Sequence, residues 1–297
     1  MNFEKLLNNI TEINGRVVAV AAADDEEVIE AVKEAVLRKL AMFILFGNKE
    51  KIDKLLHLKG IKNDNIQVIH TQTKEEAAEL AVKSVHNDEA TILMKGMVSS
   101  ATLLKAVLNK EYGLRTNRVL SHVAIFEIPG FSKSMIVTDA AMNIYPNLEK
   151  KQQIIENAVD MAKSIGVNNP KVAVLAAIEN VNPAMEVTLD AASLTLMNKR
   201  GQIKDCIIDG PLALDNAVST IAAKQKGLDS EVAGNADILL VPTIEAGNIL
   251  YKSLIYFAKA KVGSVIAGAK APIVLTSRSD SAECKLYSLA LAICSSK

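Results

Sequence analysis

The stretch V-V-A-V-A-A-A-D-D-E-E-V-I-E-A-V-K-E-A-V-L-R-K-L, Val17 to Leu40, decides the fold class. Val17 to Ala23 is an unbroken apolar run, the pattern of a strand buried on both faces of a sheet. The acids Asp24 to Glu27 follow, and Val28, Val32, Ala35, Val36 and Leu40 then recur at three- and four-residue steps. That spacing predicts an amphipathic helix with its acids at the positive end of the helix dipole. A buried strand running into such a helix opens a parallel βαβ unit.

The alternation repeats outward. Strands are expected at Met42 to Phe46, Ile66 to Ile69 and Thr91 to Met94, with helices near Glu50 and over Glu75 to Val85. Met135 to Thr138, Val172 to Ala176, Cys206 to Asp209, Ile238 to Val241 and Ile273 to Thr276 read as further strands. Helices are expected over Leu148 to Ile165, from Asn182 onward, and over Leu214 to Lys224, Ala246 to Ala260 and Ser281 to Ile293. Asn182 is a start signal because its side chain can accept from a free amide, while Pro183 lacks an amide that would be orphaned. The fold class is α/β, with mainly parallel sheets, and ligands in such sheets bind beyond the carboxyl ends of strands.

At 297 residues a single core stops growing efficiently, so two domains are expected, with the change near Pro129-Gly130. The 34 basic residues cancel the 34 acidic ones, which argues against a nucleic-acid partner. The absence of Trp leaves little material for stacking bases. No apolar run is long enough for a signal peptide or a membrane span, so no membrane partner is expected. The three cysteines, Cys206, Cys284 and Cys294, form no C-x-x-C pair and fit a reducing cytoplasm. The four histidines stand singly and no acid is grouped with them at ligand spacing, so no metal site is expected.

Two strand-to-helix junctions can carry chemistry. In L-M-K-G-M-V-S-S-A-T, Leu93 to Thr102, a strand ends at Lys95-Gly96 and a helix begins near Ser99 or Ser100. Gly96 lets the backbone approach a ligand, helix-start amides favour anions, and Lys95 and Lys105 add positive charge. The competing reading makes Ser99 or Ser100 a helix cap and leaves the lysines solvated. In P-I-V-L-T-S-R-S-D-S-A-E-C-K-L, Pro272 to Leu286, Ser277 and Arg278 follow a buried strand, and Asp280 and Glu283 open a helix. An Arg fork grips phosphate, a Ser hydroxyl donates to a developing oxyanion, and a carboxylate acts as a base. Asp280 and Glu283 also have the spacing of a capping box, so cap and site both stay open.

Other candidates are Asp139 and Asn143 in T-D-A-A-M-N-I-Y-P and Asp209 in D-G-P-L-A-L-D, each read as lying in a loop after a strand. Turn chemistry accounts for the same residue types. Arg115 lies in the polar connection E-Y-G-L-R-T-N-R. Cys284 reads as a small helix residue, since no histidine is tied to it by motif.

Five strings, K-G-M-V-S from Lys95, L-S-H-V-A-I-F-E from Leu120, I-E-N-V-N-P-A-M from Ile178, D-G-P-L-A-L-D-N-A from Asp209 and V-L-T-S-R-S-D-S-A-E-C-K-L from Val274, resemble the phosphate acetyl/butyryltransferase family in its order. The resemblance covers nearly the whole chain and is greatest to the butyryltransferase branch. It implies transfer of butyryl, or a similar short straight or branched acyl group, from coenzyme A to phosphate in a ternary complex. Coenzyme A and phosphate are then substrates, no tightly bound cofactor is implied, and an acyl (butyrate) kinase uses the acyl phosphate.

The implied architecture is like that of isopropylmalate and isocitrate dehydrogenases, with a cleft between domains. Residues 1–129 plus 270–297 form the first domain, and residues 130–269 the second, which builds a homo-oligomer. Ser277 and Arg278 match the family's Ser-Arg pair, which assists the acyl centre and binds phosphate. The acetyltransferases carry a catalytic Asp seven residues after that Ser, where this chain has Cys284, so Asp280 or Glu283 is left as the base for the CoA thiol. Lys105 or Arg115 stands for a second basic residue. The alternatives are a phosphate acetyltransferase, or a sensor of CoA or acyl phosphate that has lost the base. An oxidative decarboxylase of like fold would need an acid cluster and a nicotinamide site that the sequence does not offer.

Overall fold

A computed structural model describes residues 2–10, 15–61, 63–276 and 280–296. They divide into two compact units, Val119–Val262 and Asn2–Arg118 with Gly263–Lys297. Along the chain come α1 (Phe3–Ile10), β1 (Val17–Ala21), α2 (Glu26–Leu37), β2 (Met42–Gly47), α3 (Lys49–Leu58), β3 (Ile66–His70), α4 (Lys74–His86), β4 (Ile92–Lys95) and α5 (Ser100–Val107). The other unit contributes β5 (Ser121–Glu127), β6 (Met135–Thr138), α6 (Leu148–Ser164), β7 (Lys171–Leu175), α7 (Glu186–Lys199), β8 (Ile207–Leu212), α8 (Leu214–Val218), α9 (Thr220–Gln225), β9 (Ile238–Leu240) and α10 (Ile244–Tyr256). The chain ends with β10 (Lys261–Ala267), β11 (Ile273–Val274) and α11 (Ala282–Ser295).

In the unit holding both ends, the strands lie in the order β3-β2-β1-β4-β11-β10. All neighbours are parallel except β10 with β11. Val18 to Ala21 and Ile92 to Met94 are fully buried, as the apolar run predicts for strands covered on both faces. In the Val119–Val262 unit the order is β5-β6-β9-β7-β8, with β5 and β6 antiparallel and the other neighbours parallel. Pro129-Gly130 lies between the paired strands β5 and β6 and so stays within one unit. No helix of the described residues is long and apolar enough to cross a membrane.

Most helices start where a side-chain oxygen can accept an orphan amide. Asp25 accepts from Val28, Asn48 from Lys51, Thr73 from Glu76 and Asn147 from Lys150. Four expectations need correction. The helix expected at Asn182 starts at Glu186, because the Asn182 side chain accepts from the Ala184 amide and the Thr188 hydroxyl donates to the Asn182 and Met185 carbonyls, holding a turn. The helix expected over Leu214 to Lys224 breaks at Ser219, whose extended backbone ends α8 and whose side chain caps α9. Asp209 lies inside β8 rather than after a strand. The cap of α11 is Ser281, accepting from the Cys284 amide, so Asp280 and Glu283 do not form a capping box: Cys284 occupies the third helical position that the box needs for its acid.

The elements that were not expected include α1 and β10. α1 buries Phe3, Leu6, Leu7 and Ile10, and the Phe3 ring stacks on Tyr287 of α11 at 4.3 Å between centroids. β10 carries Gly263, where a Cβ would come within 2.9 Å of the Tyr287 backbone. Phe3→Ala removes a fully buried ring and its stacking partner, and we expect it to cost about 3–5 kcal/mol. Chemical denaturation followed by circular dichroism checks this as a lowered midpoint.

Candidate active site

The parallel strands β1, β2, β3, β4 and β11 send their carboxyl ends to one edge of their sheet. At that edge begin α2, α3, α4, α5 and α11. β4 and β11 are neighbours, with Leu93 opposite Ile273 and Met94 opposite Val274. The two junctions singled out in the sequence therefore follow adjacent strands of one unit.

At the first junction, the Gly96 amide donates to the Ala21 carbonyl at 2.8 Å and the Met97 amide to the Ala22 carbonyl at 2.7 Å. A Cβ on Gly96 would lie 2.1 Å from the Ala22 oxygen, so glycine is needed for the loop to close on the end of β1. Lys95 is buried, and its ammonium turns back to the Gly96 and Val98 carbonyls at 3.2 and 3.4 Å. Its charge holds the loop rather than standing in solvent. Ser99 is the cap of α5, accepting from the Thr102 amide at 3.0 Å, while Ser100 is the exposed first helical residue. Lys105 is exposed in the last turn of α5, and Arg115 is exposed in the connection beyond.

At the second junction, Ser277 and Arg278 lie outside the described residues. Asp280 is half-buried, and its carbonyl accepts from the Lys285 ammonium. Glu283 is exposed, and its Oε1 accepts from the Tyr287 hydroxyl at 2.5 Å. Tyr287 is buried, so it orients that carboxylate from the core side. Burial pushes the Cys284 thiol above its ordinary range.

Asp139, Asn143 and Asp209 belong to the other unit. Asp139 is buried at the end of β6, accepting from the Ala141 and Met142 amides at 2.9 Å, the Asn143 amide at 3.2 Å and Asn143 Nδ2 at 2.6 Å. Asn143 Nδ2 also donates to the Leu120 carbonyl at 2.8 Å. The pair braces the loop after β6 onto the chain entering β5. Asp209 accepts from the Gly210 amide at 2.9 Å. Among the described residues no group of three or more His, Cys, Asp or Glu can hold a metal ion.

Sequence reasoning missed Lys285 and Tyr287, both set in the apolar run that follows Cys284. A lysine amid L-Y-S-L-A-L-A-I, on a helix otherwise bound for the core, was the available signal.

The family model described as "Phosphate acetyl/butaryl transferase" matches residues 50–293. The chain is 58% identical to a probable phosphate butyryltransferase of Bacillus subtilis (strain 168) over 297 residues, all of this chain and 99% of that protein. It is 49% identical to a phosphate acetyltransferase of Thermotoga maritima over 292 residues, 98% of this chain and 99% of that one. A branched-chain phosphotransacylase from Enterococcus faecalis V583 superposes with a TM-score of 0.85 at 38% identity, covering 95% of this chain and 99% of that structure. With the two junctions at one sheet edge and these matches running almost from end to end, the chain belongs to the phosphate acetyl/butyryl transferase family.

Proposed function

We propose that the chain transfers a short acyl group directly between coenzyme A and phosphate, with a four-carbon acyl group preferred. The observation that carries this reading is the parallel pairing of β4 with β11, which sends the Lys95 to Ser99 loop and the segment holding Ser277, Arg278, Asp280 and Glu283 out from neighbouring strands. The names of the relatives at 58% and 49% identity support acyl transfer to phosphate, and the branched-chain phosphotransacylase supports room for more than an acetyl group.

In the forward direction a phosphate oxygen attacks the thioester carbonyl, the C–O bond forms, the C–S bond breaks and the CoA thiolate leaves. In reverse, a carboxylate takes the proton from the CoA thiol, and the thiolate attacks the acyl phosphate. Arg278 holds phosphate through a bidentate fork, and Ser277 with the amides opening α11 stabilises the oxyanion. Glu283, oriented by Tyr287, is the candidate base, and Asp280 is the second. Lys95, Gly96 and Ser99 shape the loop proposed for the phosphate side, Ser100 opens α5 beside it, and Asp139 with Asn143 braces the loop after β6. Coenzyme A and phosphate come and go as substrates, and an acyl kinase consuming the acyl phosphate follows from that chemistry. The free cysteines support a cytoplasmic setting.

Thiol release from butyryl-CoA, isobutyryl-CoA and acetyl-CoA, run with and without phosphate, tests the reading. We expect phosphate-dependent release that is fastest with the four-carbon esters, by about tenfold over acetyl, from two methylenes at roughly 0.8 kcal/mol each. Fastest release from acetyl-CoA identifies an acetyltransferase instead, and CoA binding without release identifies a sensor. Arg278→Ala is expected to damage phosphate use above all; unchanged phosphate kinetics refute its role. Cys284→Ser is expected to keep kcat within about threefold, because a protonated thiol supplies no nucleophile. Loss of activity in that variant means that the thiol takes part.

Helix α10 supports a homo-oligomer. Its sequence I-E-A-G-N-I-L-Y-K-S-L-I-Y is apolar, yet Gly247 is its one buried residue, and Ile249, Tyr256 and the adjoining Phe257 are 67%, 62% and 85% exposed. Such a surface fits a second copy of the chain. Light scattering after gel filtration should give a multiple of 31.9 kDa for the native protein. The double variant Ile249→Asp, Phe257→Asp should shift it toward the monomer.

A further inference from the structure

Lys285 is 4% exposed in its side chain, and the reaction just described gives it no task. It is the fourth residue of α11, and helical side chains lean toward the amino end of their helix, so its ammonium reaches back past the cap. There it donates to the carbonyl of Asp280, and it pairs with Glu27 Oε2 at 2.8 Å. Glu27 stands in the first turn of α2, the helix against which α11 packs, and its own side chain is 56% exposed. A buried ammonium is tolerated when paired and hydrogen-bonded, and here both partners lie at the sheet edge where the two junctions emerge.

We propose that Lys285 is a positioning residue for phosphate binding, acting through the Asp280 carbonyl. Asp280 comes two residues after Arg278. Held by Lys285, Asp280 gives the chain leading back to Arg278 a fixed end, and Glu27 fixes the ammonium in turn. The inference rests on the reading of Arg278 as the phosphate ligand. A side chain that served only to hold α11 on α2 would change stability alone; one that fixes that end must also change how phosphate binds.

The test is steady-state kinetics of the full-length enzyme, with butyryl-CoA and inorganic phosphate each varied, for Lys285→Met, Lys285→Arg, Glu27→Gln and Arg278→Ala, with a melting temperature for each. Losing a charge-assisted hydrogen bond should raise the phosphate KM of Lys285→Met about tenfold while the butyryl-CoA KM moves less than about twofold. Lys285→Arg, which keeps a cationic donor, should recover most of that loss. Glu27→Gln, a change at an exposed side chain, should raise the phosphate KM about threefold through a less fixed ammonium, and it carries the test if Lys285→Met fails to fold. Lower melting temperatures with unchanged phosphate KM in Lys285→Met or Glu27→Gln overturn the proposal. If Arg278→Ala impairs phosphate use while the Lys285 and Glu27 variants do not, the Lys285 assignment falls alone. If Arg278→Ala leaves phosphate kinetics intact, both readings fall.

Discussion

The pairing of β4 between β1 and β11 is the constraint on which the rest of the site depends. Ile92, Leu93 and Met94 are fully buried, so their amides and carbonyls must find partners within the sheet. One side is supplied by β1, from the same segment of the chain before Val119. The other is supplied by β11, from a segment that returns only after the whole Val119–Val262 unit has been traversed. Leu93 donating to Pro272 and the register Met94 to Val274 therefore do two things at once. They complete a core strand, and they bring two loops 180 residues apart to one edge.

At that edge most polar side chains are already engaged by the fold. Ser99 caps α5, Ser281 caps α11, Lys95 holds the carbonyls of its own loop, and Gly96 makes room for the backbone of β1. The residues of the K-G-M-V-S string thus act on loop shape before they act on any ligand. The same holds in the other unit for Asp139, whose carboxylate accepts from its own loop. The proposed chemistry draws instead on the shorter stretch from Thr276 to Glu283, whose sequence holds two acids, three serines and an arginine.

The strand-helix alternation was legible because both periodicities are strong and the caps are ordinary Ser, Thr, Asn and Asp. What was not legible depends on contacts distant in sequence. α1 is eight residues long and is stabilised by the α11 face that Phe3 and Tyr287 share. β10 contains Gly263, a poor strand residue, because α11 passes too close for a side chain. At the site, Ser99 could be read as cap or ligand from the string alone, whereas the choice between Asp280 and Ser281 as the cap of α11 needed backbone geometry. Lys285 was hidden for the same reason as α1, since Glu27 lies 258 residues away.

The cysteines bear on how the acyl group travels. A covalent relay through a cysteine would need a thiolate, yet burial pushes Cys206 and Cys294 up to about 11 and raises Cys284 as well. A thiol with a pKa near 11 is ionised in only about one molecule in ten thousand at neutral pH, far from the depressed values of catalytic cysteines. Direct transfer avoids that cost, because the sulfur that must ionise belongs to coenzyme A. The demand on the protein then shifts from a nucleophile to a base for that thiol and an anion grip for phosphate. Those are the roles proposed for the carboxylates and guanidinium after β11, and the hydrogen bond from buried Tyr287 to Glu283 is the kind of hold that a base aimed at a thiol would need.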